Sequence, residues 1–196
     1  YISESGGIYT FLTDEEQDIA REIKETDVDT NTVIIEKKGQ ITEAIVEDFE
    51  QPYYDQEELK REIEDKISQF NTQSGDGKEA VELEKFELED KVIRVNITFP
   101  DSDAYTSFNE KQLFAGKVAD VYARGYSFPQ MKSVDGSQIS EADVLELGDK
   151  NAVILEEQQQ VKVHGKITHI SDGISLVDEK TAVNLNEGQT GCIIYE

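Results

Sequence analysis

Tryptophan is absent from this 196-residue chain, cysteine and methionine occur once each, histidine twice and proline three times. A single cysteine, Cys192, excludes an intramolecular disulfide, a multi-cysteine zinc site, an iron–sulfur cluster and a dithiol redox pair. It lies in the apolar ending GCIIYE, where it reads as a small buried residue of a terminal strand. Basic residues are scarce too: 19 Lys and Arg stand against 43 Asp and Glu, a formal charge of −24. Such a polyanion is repelled by phosphate backbones and anionic headgroups, which excludes nucleic acid as a partner. No run approaches the ~20 apolar residues that cross a bilayer, so no transmembrane segment is expected. G-x-S-x-G, G-x-x-x-x-G-K, G-x-G-x-x-G and H-E-x-x-H are all missing.

What is present suffices to fold. Hydrophobic residues make up 37% of the chain, enough for a core, and the acidity therefore does not read as disorder. Thr13 and Glu16 have capping-box spacing ahead of Ile19, Ala20 and Ile23, which predicts a short first helix. Two β-rich runs around Lys38-Gly39-Gln40 predict a hairpin. In DQEELKREIEDKISQFN, Asp55 caps a helix whose Leu59, Ile63, Ile67 and Phe70 form one apolar stripe, with Glu57–Arg61 and Glu62–Lys66 as i,i+4 pairs. Asn71 and the following SGDG should end it. The next two strands alternate, with Ile93, Val95, Ile97 and Phe99 on one face, while a phase change near Glu84 and Lys85 calls for a β-bulge.

The fold class expected is therefore α+β: an antiparallel sheet of order strand–strand–helix–strand–strand packed on one main amphipathic helix. After it, DSDAYTSFNE holds a turn of helix, and GKVADVYARGY presents Val118, Val121 and Tyr122 on one helical face before a Gly125 cap. Past Pro129, apart from a short helix from Ser140 to Leu147, the apolar runs are brief and separated by Gly, Asn and Asp. Residues 1–130 are thus expected to form an α+β domain and residues 131–196 a smaller β-rich unit.

Candidate chemistry is thin. Most acidic residues fall at polar-face positions of helices and strands, where solvated surface is the simplest role. Asp27, Asp29 and Asn31 imitate the opening of a calcium loop, but Thr32 replaces the turn glycine and Lys38 the bidentate Glu, so no metal site is assigned. His164 and His169, five apart in VKVHGKITHI, face opposite sides of a strand unless Gly165 interrupts it, and they read as structural. Tyr53, Tyr54, Tyr105, Phe108, Phe114, Tyr122, Tyr126 and Phe128 would form a sugar-stacking platform if exposed, or pack the interior of a chain without Trp. No catalytic residue and no cofactor is assigned.

The passage TVIIEKKGQITEAIVEDFEQPYYDQEELKREIEDKISQFN, followed by AYTSFN, LFAGKVADVYARGY, VKVHGKITHISDGISLV and CIIYE, resembles a group of uncharacterised lipoproteins of Firmicutes, mostly gut Clostridia. The resemblance runs from about Thr32 to the end, although Lys117 stands where Thr is commoner and His164 where Pro is commoner. It implies a signal peptide and a lipid-modified Cys ahead of Tyr1, in keeping with a chain that does not open on Met. The folded part would then be extracellular, tethered by lipid outside the cytoplasmic membrane and held off its anionic surface by charge. The functional expectation is a non-catalytic binding module for an envelope component or protein. Its rivals are an extracellular glycan- or peptide-acting hydrolase using an Asp/Glu pair, and a purely structural spacer. Charge does not mark a site, because residues 1–79 carry −14 and residues 80–196 carry −10.

Overall fold

The computed structural model describes residues 28–51, 55–74, 80–186 and 188–196. The expected first helix with Thr13 and Glu16, Asp27, Tyr53, Tyr54 and the glycines of SGDG lie outside them. The hairpin forms as its sequence requires: β1 (Thr32–Ile35) and β2 (Ile41–Asp48) pair antiparallel, and Gly39 takes φ +84° in the turn.

Helix α1 (Gln56–Ser74) is capped by Asp55 Oδ1, which accepts from the Glu57 and Glu58 N–H groups at 2.9 and 3.1 Å. Its stripe Leu59, Ile63, Ile67 and Phe70 packs on the core. The helix runs past Asn71, whose side chain bonds to Val81, to Ser74, the first residue of SGDG. Lys60–Glu64, at 3.7 Å, is the i,i+4 ion pair of the described helix, and Lys66 lies 4.1 Å over the Phe108 ring.

Strands β3 (Glu82–Glu89) and β4 (Val92–Phe99) make the second hairpin, with the bulge between Leu83 and Lys85. Helix α2 (Ser102–Asn109) follows under an Asp101 cap, then β5 (Leu113–Lys117). Where one helical face was expected, Val118–Asp120 and Tyr122–Arg124 are two 3-10 turns closed by Gly125 at φ +82°. The remaining elements are β6 (Met131–Ser133), α3 (Glu141–Glu146), β7 (Asn151–Leu155), β8 (Gln160–Val163), β9 (Ile167–Ser171), β10 (Ile174–Leu176), β11 (Thr181–Asn184) and β12 (Gly191–Tyr195).

The fold is α+β, and its strands form two sheets. One has the order β10-β11-β8-β1-β2-β4-β3 and the other β5-β7-β12-β9-β6. The first is not wholly antiparallel, because β8 lies parallel to β1. The change of character past Pro129 does not coincide with a break between sheets. Strands from 131–196 extend the first sheet, and β5, from before residue 130, opens the second. The physical reason is that β1 would otherwise leave an apolar edge, and Val161 and Val163 of β8 continue its Val33 and Ile35 in one buried cluster.

That cluster also holds Val153 and Leu155 of β7 and Ile193 and Tyr195 of β12. The alternate residues of the same strands, Ala152, Ile154, Cys192 and Ile194, join Phe114, Val118, Val121, Met131 and Val144 in a second cluster on the other face. A sheet buried on both faces needs unbroken apolar strands, which is why NAVIL and GCIIY do not alternate. Gly165 stands where the chain leaves β8 for β9 in the other sheet. A Cβ there would meet the Glu196 carbonyl oxygen at 2.0 Å, so only glycine fits.

Candidate functional site

Strict alternation along β2 puts Glu43 on the face of Ile41 and Ile45, the core side of the sheet. Its neighbours across the strands are Val33 of β1 and Ile97 of β4. A carboxylate in such surroundings is costly unless hydrogen-bonded. Helix α2 supplies the partner, with Asn109 Nδ2 donating to Glu43 Oε2 at 3.1 Å.

One helical turn earlier, Tyr105 is 1% exposed and donates its hydroxyl to Glu157 Oε2 at 3.0 Å, across the β7–β8 connection. Gln159 Nε2 donates to the same Glu157 oxygen at 3.2 Å and to the Tyr105 hydroxyl at 3.3 Å. Lys111, just beyond α2, pairs with Glu157 Oε1. Asn184 Nδ2 fixes the loop by donating to the Glu157 carbonyl at 2.9 Å. Residues far apart in the chain thus meet where the two sheets and α2 come together.

Burial pushes the Glu43 carboxyl above the usual carboxylate range; the Asn109 hydrogen bond opposes this, the Glu157 charge adds to it, and Lys111 and Lys66 lower it. Burial and then the Glu43 charge push the Tyr105 phenol up. A carboxyl with a raised pKa beside a second carboxylate is the arrangement from which acid–base pairs are made. Here the capacity is used internally. Both Glu157 oxygens and one Glu43 oxygen are engaged by side chains of this chain.

The larger clefts lie elsewhere. One, of about 670 Å³, is lined by Phe70, Ser74, Asp101, Asp103 and Ser107 between the end of α1 and the start of α2. Another, of about 580 Å³, is a shallow groove between α1 and β3. Neither reaches Glu43 or Glu157.

The residues singled out by sequence spacing are dispersed. His164 Nδ1 is 3.4 Å from the Ile35 carbonyl, and its ring meets Tyr195 edge-on. His169 sits on β9 in the other sheet, 3.0 Å from the Thr168 hydroxyl; burial lowers its pKa, opposed by the Asp135 charge. Gly165 does interrupt the strand between them. Asn31 is committed to β2, accepting from the Val46 N–H at 2.7 Å, and Asp29 is exposed 4.0 Å from Arg94. Among the described residues no three His, Cys, Asp or Glu side chains are grouped to hold a metal ion. Cys192 is fully buried, and burial pushes its thiol up. Tyr105, Phe108 and Phe114 are core residues. Tyr122, 42% exposed, stacks edge-on with Phe128 and gives no flat platform.

Sequence reasoning passed over Glu43 because acidic residues were read as surface. The signal that finds it is its parity with Ile41 and Ile45. Comparison with protein-family models, with curated proteins and with solved structures finds no match. No described helix is long and apolar enough to cross a membrane.

Proposed function

We propose that this chain is a non-catalytic binding module of a cell envelope, carried outside the cytoplasmic membrane by a lipid anchor on a segment ahead of Tyr1. The observation that carries the non-catalytic part is the state of its best acid–base cluster. Glu43 and Glu157 spend their hydrogen bonds on Asn109, Tyr105, Gln159 and Lys111, and neither large cleft brings a substrate to them. The envelope placement draws on the lipoprotein resemblance and on a charge of −24, which suits a domain held off an anionic surface.

The rival reading as a glycan- or peptide-acting hydrolase draws on the same pair, since burial raises Glu43 beside a second carboxylate. Turnover of wall glycan or peptide that is lost in Glu43→Gln would establish that reading and overturn ours. For binding, the test is the melting temperature in the presence of wall fragments, soluble glycans and divalent ions. A ligand at 100 times its Kd adds about 2.7 kcal/mol, a rise readily seen, and no rise with any of them favours the spacer. Placement is tested by expressing the whole gene and treating intact cells with protease. Protection of the chain in intact cells would refute the envelope assignment.

A further inference from the structure

Strand β3 is the end strand of the seven-stranded sheet and pairs only with β4 among the described residues. The β3–β4 turn has two residues, Asp90 and Lys91, at φ 49° and 63°, the type I′ geometry of a tight hairpin. In such a hairpin the residues flanking the turn form the doubly hydrogen-bonded pair, and bonded pairs then alternate along the ladder. With Glu89 opposite Val92, Glu87 opposite Arg94 and Lys85 opposite Asn96, those three turn their N–H and C=O groups to β4. Leu88 and Phe86, and Leu83 beyond the bulge, turn theirs to the open edge.

One position along this edge is already occupied. Asn71 of α1 donates its Nδ2 to the Val81 carbonyl and accepts the Val81 N–H on Oδ1, both at 2.9 Å. Its side-chain amide does for Val81 what the backbone of a neighbouring strand would do. From there the groove between α1 and β3, floored by Ile67 and Leu83 and flanked by Glu64 and Ser68, runs beside the edge. The two faces of β3 differ. Leu83, Phe86 and Leu88 lie on the α1 side, while Glu87 and Glu89 are exposed on the other beside Lys85, which pairs with Glu87 at 3.2 Å.

We propose that this edge and groove bind an extended segment of a partner protein that alternates apolar with basic residues and adds to the sheet as an eighth strand. Main-chain bonds to Leu83, Phe86 and Leu88 would hold it, apolar side chains would enter the groove beside Ile67, and basic ones would lie against Glu87 and Glu89. Charge selects the occupant. A second copy of this chain would set one net-acidic row, in which Lys85 is the one cation of β3, against another, with −24 on each molecule, and charged edges with bulges are how sheets avoid pairing with themselves. The proposal deepens the reading as a binding module and rests on it, but it needs no anchor.

The test uses the isolated chain at 0.15 M salt and three synthetic eight-residue probes: alternating Val-Lys, alternating Val-Glu and alternating Pro-Lys. Binding is followed by amide chemical shifts. The Val-Lys peptide should shift Leu83, Phe86, Leu88 and the groove residues of α1, whereas the Val-Glu peptide should not bind. The Pro-Lys peptide has the same charge but cannot form a ladder, so equal binding by it, or shifts spread over the acidic surface, overturns the proposal. So does an unchanged spectrum with the Val-Lys peptide at millimolar concentration. The double variant Glu87→Lys, Glu89→Lys leaves the core untouched and should weaken Val-Lys binding about tenfold while admitting the Val-Glu peptide. Retained Val-Lys affinity in that variant also counts against the site. None of these outcomes bears on protease accessibility of the whole protein in cells, so the two claims fail separately.

Discussion

Tyr105 offers the sharpest test of the network around Glu157. Its ring is 1% exposed and meets Phe99 edge-on at 5.2 Å, and Tyr105→Phe keeps that packing while removing the hydroxyl that donates to Glu157 Oε2 at 3.0 Å. A hydrogen bond to a charged partner contributes about 1.5–3 kcal/mol net. The Glu157 side chain is 22% exposed and keeps Lys111 and Gln159, so the lower end applies, about 1.5 kcal/mol. For a chain of this length that is a fall in Tm of about 3–6 °C. Tyr105→Ala, which also empties the ring's place in the core, should cost about 3–5 kcal/mol. The decisive measurement is a double-mutant cycle with Glu157→Gln, followed by urea unfolding at pH 7. A coupling of about 1 kcal/mol is expected between the two sites, with the urea m-value unchanged. Additivity within about 0.3 kcal/mol would refute the argument, because hydroxyl and carboxylate would then act independently and the site would not be a closed network.

Glu43→Gln leaves an acceptor for Asn109 and removes the ionised form. Burial raises the native carboxyl above its unfolded value, so the folded state binds the proton more tightly and stability falls as pH rises through the range above 4.5. The variant should show a shallower fall as pH rises above 4.5 in urea titrations, and an unchanged slope would refute the assignment. Cys192 should not react with a thiol reagent in the native protein and should react fully in urea, since its side chain is completely buried; rapid labelling of the folded chain would contradict the terminal-strand packing. Gly165→Ala forces the Glu196 carbonyl away and strains its 2.8 Å bond from the Lys166 N–H. A loss of about 1–3 kcal/mol is expected from such overpacking, and a neutral variant would show that the crossover does not need glycine.

Local chemistry was legible wherever the signal is a short-range one. The Gly39 turn, the Asp55 cap, the apolar stripe of α1, the bulge at Leu83–Lys85 and the Gly125 cap each depend on residues within a few positions of one another, so spacing alone determines them. The α+β class follows, because two hairpins with one amphipathic helix between them have few ways to bury their apolar faces. The pairing of β8 with β1 and of β5 with β7 depends instead on contacts between residues more than thirty positions apart, and no periodicity encodes them. A change in composition past Pro129 marks shorter strands and more turns, which the tertiary structure distributes over both sheets. The candidate site shows the same divide. The sequence by itself determined that Glu43 shares a face with Ile41 and Ile45, but only the tertiary structure decided that the face is the core side and that Asn109, Tyr105, Glu157 and Lys111 converge there. A carboxylate's environment is set by what packs over it, and in this chain that cover comes from residues 62 to 114 positions further along.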